Sequence, residues 1–273
     1  MSGFICPVCT KALVDDGAVF RCGENHCFDK SKFGYVNLLM SQSSGAKRHG
    51  DDRIMVRARR DFLDAGYYSF LLDGLCSLCK KYLPEDAVIL DAGCGEGYYT
   101  AGVKAAMPRA EMLGVDISKD ALEYLSKRKF EAKTAVAGVF SLPVADESCD
   151  GLLNIFSPEA DGEFYRVLKT GGIMLRIIPD EMHLFSLKEC VYDKPYKNEV
   201  PSAEVAGFEF VEECRLSEKI FMKDNVSVQA LFKMTPYYYK TGRADQEKLE
   251  CVDSLATQAD FRIRVYRKEE KNA

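Results

Sequence analysis

The densest chemistry in the chain lies in VILDAGCGEGYYT, residues 88–100. An apolar run ends in Asp91, glycines follow at Gly93, Gly95 and Gly97, and a helix-forming stretch comes next. A strand feeding a glycine turn and a helix N-terminus is the geometry of a nucleotide-cofactor site. The spelling separates cofactors. A nicotinamide site reads G-x-G-x-x-G, and a phosphate loop ends in Lys-Ser/Thr. Here a carboxylate opens the turn and no Lys-Ser/Thr follows. An acidic turn suits a cofactor whose amino-acid end is cationic. A second acidic strand end follows in MLGVDIS, where Asp116 closes an apolar run. A carboxylate there offers two acceptors to the two neighbouring hydroxyls of a ribose.

The second cluster is near the N-terminus. Cys6-Pro7-Val8-Cys9 is a C-x-x-C pair, and Cys22 with His26 is C-x-x-x-H. Two such knuckles, separated by a strand-like segment at residues 17–21, suit a closed tetrahedral zinc site. A ribbon of about 35 residues cannot bury enough core to fold unaided, so bound metal supplies folding free energy. Cys27 adjoins His26 and leaves the fourth ligand open between them. The other cysteines carry no such pattern. Cys76 and Cys79 recur at helical spacing with Leu72 and Leu75, which predicts one buried helix face. Cys94 is a small residue inside the glycine turn. Cys149, Cys190, Cys214 and Cys251 have no partner spacing. With no secretory leader, no disulfide framework is expected.

The elements that must position these groups alternate strand and helix. Residues 134–137 predict a third strand. Asp150 opens an apolar fourth strand, and FYRVLKTGGIMLRII predicts a helix, a Gly171-Gly172 turn and a fifth strand. This is an α/β pattern, a doubly wound Rossmann-like sheet carrying a small N-terminal zinc ribbon. Residues 207–216 and 261–267 alternate apolar with polar and predict a closing antiparallel pair. Three units follow: the ribbon at 1–36, a connector and two helices (52–65 and 67–83) within 37–84, and the sheet domain at 85–273. Residues 179–205 are expected to lie over the active site as an insertion.

The chain has 273 residues and a net charge of −5, which argues against a protein that coats nucleic acid with its whole surface. No apolar run is long enough to cross a membrane. A soluble cytoplasmic protein is expected. One segment is locally basic: Lys47, Arg48, Arg53, Arg57, Arg59 and Arg60 face only Asp51 and Asp52. Arg53, Arg57 and Arg60 share one helix face, while Met55, Ala58 and Phe62 lie on another. That face is read as a clamp for RNA phosphates, beside a flexible connector at 41–50.

The turn D-A-G-C-G-E-G resembles motif I of S-adenosylmethionine-dependent methyltransferases. The ribbon knuckles, GYVNLL (34–39), ARRDFLDAGYY (58–68), LDAGCGEGYYT and PDEMHL (179–184), taken in that order, resemble the bacterial 23S ribosomal RNA guanine-N1-methyltransferases over nearly the whole chain. The resemblance implies methyl transfer from S-adenosylmethionine to N1 of a guanine in a 23S rRNA hairpin, a structural zinc and a homodimer. It also implies that Tyr68, Gly95, Glu96 and His183 contact the cofactor, in addition to Asp91, Gly93 and Asp116. Phe156-Ser157-Pro158 departs from the family's tyrosine-alanine-proline after strand four. No catalytic base is visible. Two other classes stand beside this reading. One is a small-molecule methyltransferase acting on a quinone or lipid precursor. The other is a non-catalytic RNA-binding protein of the same fold.

Overall fold

The computed structural model describes residues 3–40 and 50–270. Most of the expected connector, with Lys47 and Arg48, lies outside the described residues. The N-terminal ribbon is a three-stranded antiparallel sheet of β1 (Val14–Asp16), β2 (Val19–Arg21) and β3 (Cys27–Asp29). It is followed by β4 (Val36–Asn37), then helices α1 (Arg53–Asp64) and α2 (Ser69–Tyr82). Next come β5 (Val88–Ala92), α3 (Tyr98–Ala106), β6 (Glu111–Asp116), α4 (Lys119–Ser126) and β7 (Lys133–Val136). The second half of the sheet domain is β8 (Cys149–Ile155), α5 (Asp161–Val167), β9 (Leu168–Pro179), α6 (Phe185–Val191) and β10 (Phe208–Met222). Helices α7 (Asn225–Lys233), α8 (Tyr237–Lys240) and α9 (Arg243–Glu247), then a 3-10 turn, precede β11 (Leu255–Lys268).

One eight-stranded sheet runs in the order β10-β11-β9-β8-β5-β6-β7-β4. β5 is flanked in parallel by β6 and β8, so the winding reverses at its edge with β8. Ligands of such sheets bind beyond the carboxyl ends of the strands at this reversal. The strands read as continuous apolar runs because both faces are covered. Alternate residues enter two cores: Ile89, Met112 and Leu153 join one with α2 and α3, while Leu90, Leu113 and Leu152 join the other with α5. β10 and β11 form the expected antiparallel pair and extend it over fourteen paired positions. The chain between them, residues 225–251, carries helices that the sequence reading did not single out.

The ribbon is not a separate ball. Phe4, Cys6, Leu13 and Phe20 belong to the same core cluster as Leu90 and Leu113. β4 pairs in parallel with β7, Val36 opposite Ala135 and Asn37 opposite Val136. The Leu38 N–H donates to the Val136 carbonyl at 2.9 Å, and the Ile5 N–H to the Pro143 carbonyl at 2.9 Å. The strand at which the ribbon was expected to end therefore also closes the edge of the large sheet.

Helix α1 starts where Asp52 accepts from the Ile54 and Met55 N–H groups, both at 2.9 Å. Met55, Val56, Ala58, Phe62 and Leu63 are its buried residues, and α7 packs against it. On α2 the buried face is Leu71, Leu75, Leu78 and Cys79. Among the described residues, no helix is long and apolar enough to cross a membrane. Asp52→Ala leaves two helix N–H groups without that acceptor. It should lower stability by about 1 kcal/mol, read as a drop of roughly 2–4 °C in the melting temperature by calorimetry.

Candidate active site and metal centre

The glycine turn ties the ends of β5 and β6 together. The Gly93 and Cys94 N–H groups donate to the Val115 carbonyl at 2.8 and 3.0 Å, and the Gly95 N–H donates to Asp116 Oδ2 at 2.8 Å. The other Asp116 oxygen accepts from the Ser118 N–H at 2.7 Å. Gly93 and Gly97 have φ of +94° and +82°, in the left-handed region. A methyl at Gly93 would come within 2.5 Å of Ser157 Cβ, and one at Gly97 within 2.6 Å of Leu125 Cγ. The turn is thus closed from both sides. Asp91 is 2% exposed and accepts from Thr100 Oγ1 at 2.6 Å. Burial, reinforced by the nearby Asp116 charge, pushes its carboxyl up to about 7 against the opposing Thr100 hydrogen bond.

Beyond these strand ends lies a cavity of about 630 Å³. All seven residues expected at the cofactor line it: Tyr68, Asp91, Gly93, Gly95, Glu96, Asp116 and His183. Their states differ. Glu96 is buried and held by Arg128, whose Nε lies 2.7 Å from Oε2 and whose other arm reaches Asp64 at 2.9 Å. His183 Nδ1 accepts from the Asp260 N–H at 3.2 Å, so the proton sits on Nε2. Burial, with the charge of Lys188, holds its pKa down at about 3, and the ring is a neutral donor rather than a base. The Tyr68 and Tyr99 hydroxyls are buried without a hydrogen-bond partner. Buried hydroxyls are ordinarily paired, and these two lie in the wall of one cavity.

The segment after β8 packs directly against the glycine turn and lines the cavity beside it. Ser157 Oγ donates to the Ala92 carbonyl at 2.5 Å, and Asn154 Nδ2 donates to Ser157 Oγ at 2.6 Å. Arg176, 3% exposed, donates through Nε to Asn154 Oδ1 at 3.1 Å and pairs with Asp161. This braced network adjoins Phe156, which has φ +51°, a strained value for a bulky residue, and is 48% exposed. Of residues 179–205, Pro179, His183 and Leu184 line the cavity, and residues 185–205 are not among its lining.

Cys6, Cys9, Cys22 and His26 place one ligand atom each within 4.8 Å of one another. His26 Nδ1 is 3.5 Å from Cys6 Sγ and 3.3 Å from Cys22 Sγ, and Cys9 Sγ is 3.5 Å from Cys22 Sγ. Zinc bond lengths in a tetrahedron imply ligand separations of roughly 3.5–3.8 Å, so the donor set and spacing fit the metal. Cys27 is exposed and its thiol turns to the Asn25 carbonyl, away from the cluster.

Residues 4–47 match the zinc-ribbon family described as "RlmA, N-terminal", and residues 89–172 match the family described as "Methyltransferase domain". A Bacillus subtilis strain 168 protein, provisionally named a 23S rRNA (guanine-N(1)-)-methyltransferase, is 32% identical over 246 residues, covering 86% of each chain. The chain belongs to this methyltransferase family. A 23S rRNA (guanine(748)-N(1))-methyltransferase of Streptomyces fradiae is 33% identical over 189 residues, 68% of this chain and 66% of that one. In fold, a solved Bacillus halodurans C-125 structure, provisionally described as a methyltransferase, superposes with a TM-score of 0.51. It is 15% identical and covers 73% of this chain and 99% of that chain. The cofactor of this methyltransferase is S-adenosylmethionine, and its ribbon carries a structural zinc.

The basic helix of the methyltransferase is more balanced than its sequence suggests. Arg53 faces Asp120 and Glu123, Arg57 faces Asp61, and Arg60 pairs with Asp61 and lies over the Tyr124 ring. Arg59 belongs to a different surface, for it lines the cavity. A signal existed: Arg59 lies four residues from both Met55 and Leu63, on the apolar stripe of α1 rather than its charged one. Tyr99, two residues past Gly97, was also open to detection. Met234 and Tyr237 were not, because nothing local to residues 225–251 signals that this segment folds back over the cavity.

Two outcomes follow from the geometry. Cys6→Ser and Cys9→Ser should each leave the purified chain with little zinc by metal analysis, and His26→Ala likewise, while Cys27→Ser should retain it. Asp91 keeps its proton in the ligand-free protein up to about pH 7, above the range in an unfolded chain. Its contribution therefore lowers stability as pH rises from the usual carboxylate range through about 7. A cationic ligand favours the ionised form, so affinity for S-adenosylmethionine should rise with proton release as pH climbs towards about 7 and level off above it. Calorimetry in buffers of different ionisation enthalpy reads that release. The pH dependence should be flatter in Asp91→Asn.

Proposed function

We propose that this protein transfers the methyl group of S-adenosylmethionine to N1 of a guanine in a 23S rRNA hairpin, working as a homodimer in the cytoplasm. The observation that carries the reading is a complete acid-glycine cofactor turn and a four-ligand zinc ribbon in one chain. That chain aligns over most of its length with proteins named for this reaction. A small-molecule methyltransferase has no need of the ribbon, and an inactive RNA binder has no need of two buried carboxylates around the turn. In this reading Asp116 takes the ribose hydroxyls on the lone pairs that its Gly95 and Ser118 contacts leave free. Gly93, Gly95 and Glu96 shape the floor. Tyr68 and His183, which lie side by side in the cavity lining, offer donors to the cofactor. Cys6, Cys9, Cys22 and His26 hold the zinc.

When bound, S-adenosylmethionine supplies an activated methyl on a sulfonium. The chain supplies position and dryness. A guanine buried in a stack cannot reach that methyl, so the base must leave its stack. Single-stranded loop bases meet that condition most readily and are often received on an aromatic ring. Phe156, half-exposed at the cavity wall and adjoining the Ser157–Asn154–Arg176 brace, is placed to receive it. N1 must also lose its proton, and neutral His183, with Nδ1 already accepting from the backbone, is not the group that takes it. Arg53 and Arg57, still 58% and 70% exposed, are reachable by phosphates that displace their acidic neighbours. Those contacts set affinity rather than base choice.

The test is primer extension on 23S rRNA incubated with cofactor and protein. N1 methylation blocks the Watson–Crick edge, so reverse transcriptase should stop at one guanine, and only when both are present. Methyl label entering a small-molecule extract but never RNA would overturn the reading.

A further inference from the structure

The charges around the cavity are lopsided. Asp51, Asp91, Glu96 and Asp116 line it, against Arg59 as the one arginine or lysine among the described lining residues. S-adenosylmethionine carries two cationic groups, the sulfonium and the α-ammonium, and one anionic group, the α-carboxylate. Glu96 is already paired with Arg128 and Asp51 with Arg59, which leaves Asp91 for a cation and Asp116 for the ribose. The carboxylate needs a donor, and the glycine N–H groups of the turn are engaged: Gly93 with Val115, Gly95 with Asp116 and Gly97 with the Cys94 carbonyl.

Arg59 meets the requirement. Its Nη1 lies 3.8 Å from the position a Cβ would occupy on Gly95, so the guanidinium sits over the turn. Asp51 holds Nη1 at 2.6 Å, and Nη2 points to the Met234 carbonyl at 3.4 Å. A guanidinium has five N–H donors, so these two contacts fix its plane and leave donors for a ligand. The residue sits on α1 between Met55 and Leu63, both buried and both lining the cavity, which keeps its stem from swinging out to solvent.

We infer that Arg59 is the anchor for the α-carboxylate of the cofactor, and that Asp51 is a positioning residue that orients it. This rests on the S-adenosylmethionine reading of the cavity and is independent of the RNA substrate. It sets Arg59 apart from the arginines of the same helix that were read as facing RNA. α1 then carries phosphate-reachable arginines on one face and a cofactor contact on another.

The test compares two ligands that differ in the amino-acid tail, S-adenosylhomocysteine and 5′-methylthioadenosine, by calorimetry on the zinc-loaded chain. Arg59→Ala should lose about 10- to 100-fold in affinity for S-adenosylhomocysteine and stay within about 2-fold for 5′-methylthioadenosine, which has no carboxylate to lose. Arg59→Lys keeps the charge without the planar fork and should fall between the two proteins. Equal losses for both ligands would mean general damage to the cavity and would overturn the inference, as would an unchanged affinity for S-adenosylhomocysteine. Should Arg59→Ala not fold, the unmodified protein gives the same answer with decarboxylated S-adenosylmethionine. Its affinity should fall by a comparable factor relative to the intact cofactor, and equal affinity for the two overturns the assignment. Failure of the unmodified protein to bind S-adenosylhomocysteine at all would overturn the cofactor reading and this inference with it, an outcome distinct from a non-selective variant.

Discussion

The carbonyl of Val115 accepts two N–H groups from the turn that follows β5. That bifurcated contact draws the carboxyl ends of β5 and β6 to one point. It works only because the turn can pass through positive φ at Gly93 with Ser157 pressed against it. Everything at the site takes its place from this closure. Asp116 is brought under Gly95, α3 is launched from Gly97 against Leu125, and Asp91 is sealed behind the turn with Thr100 as its donor. A side chain at either glycine would separate the strands rather than bend, since Ser157 and Leu125 are themselves braced or buried.

Burial of the acids is the electrostatic counterpart. Asp91, Glu96 and Asp116 all have their carboxyls pushed upward by desolvation, and each is compensated differently: Asp91 by one hydroxyl, Glu96 by the Arg128 ion pair, Asp116 by two backbone N–H groups. Glu96 is thus fixed before any ligand arrives. Asp116 holds acceptors that face the cavity. An acidic pocket kept dry in this way favours cations, and it makes the single guanidinium among its described lining residues the exception that a zwitterionic ligand must find.

Much of this was legible in the residue order, for local reasons. Positive φ at three glycines in five positions, an acid closing each of two apolar runs, and paired Cys/His knuckles are constraints written within a few residues of where they act. What escaped detection acts at a distance. Helical spacing sorts α1 into faces but does not say what lies opposite each, so Arg59 was counted with the charged surface although its neighbours Met55 and Leu63 are apolar. Residues 225–251 approach the cavity because β10 and β11 bring them back to it, a long-range pairing without a short-range signature. The neutrality of the basic face likewise depends on Asp120 and Glu123 from α4, which lie far off in sequence.

The ribbon's junction with the sheet has a consequence for handling the metal. β7 would be an edge strand, with unpaired N–H and C=O groups along its outer side, but for the two residues of β4 and the Leu38 N–H beside them. An uncovered edge is a template for pairing with another chain. β4 follows directly on the ribbon, whose zinc ligands Cys6 and Cys22 are part of the core that Val36 joins. Removal of the ion would therefore loosen more than the ribbon: it would bare a seam of the Rossmann-like sheet. An edge bared in that way would be open to pairing with another chain, so the ion that shapes the ribbon would also guard the sheet.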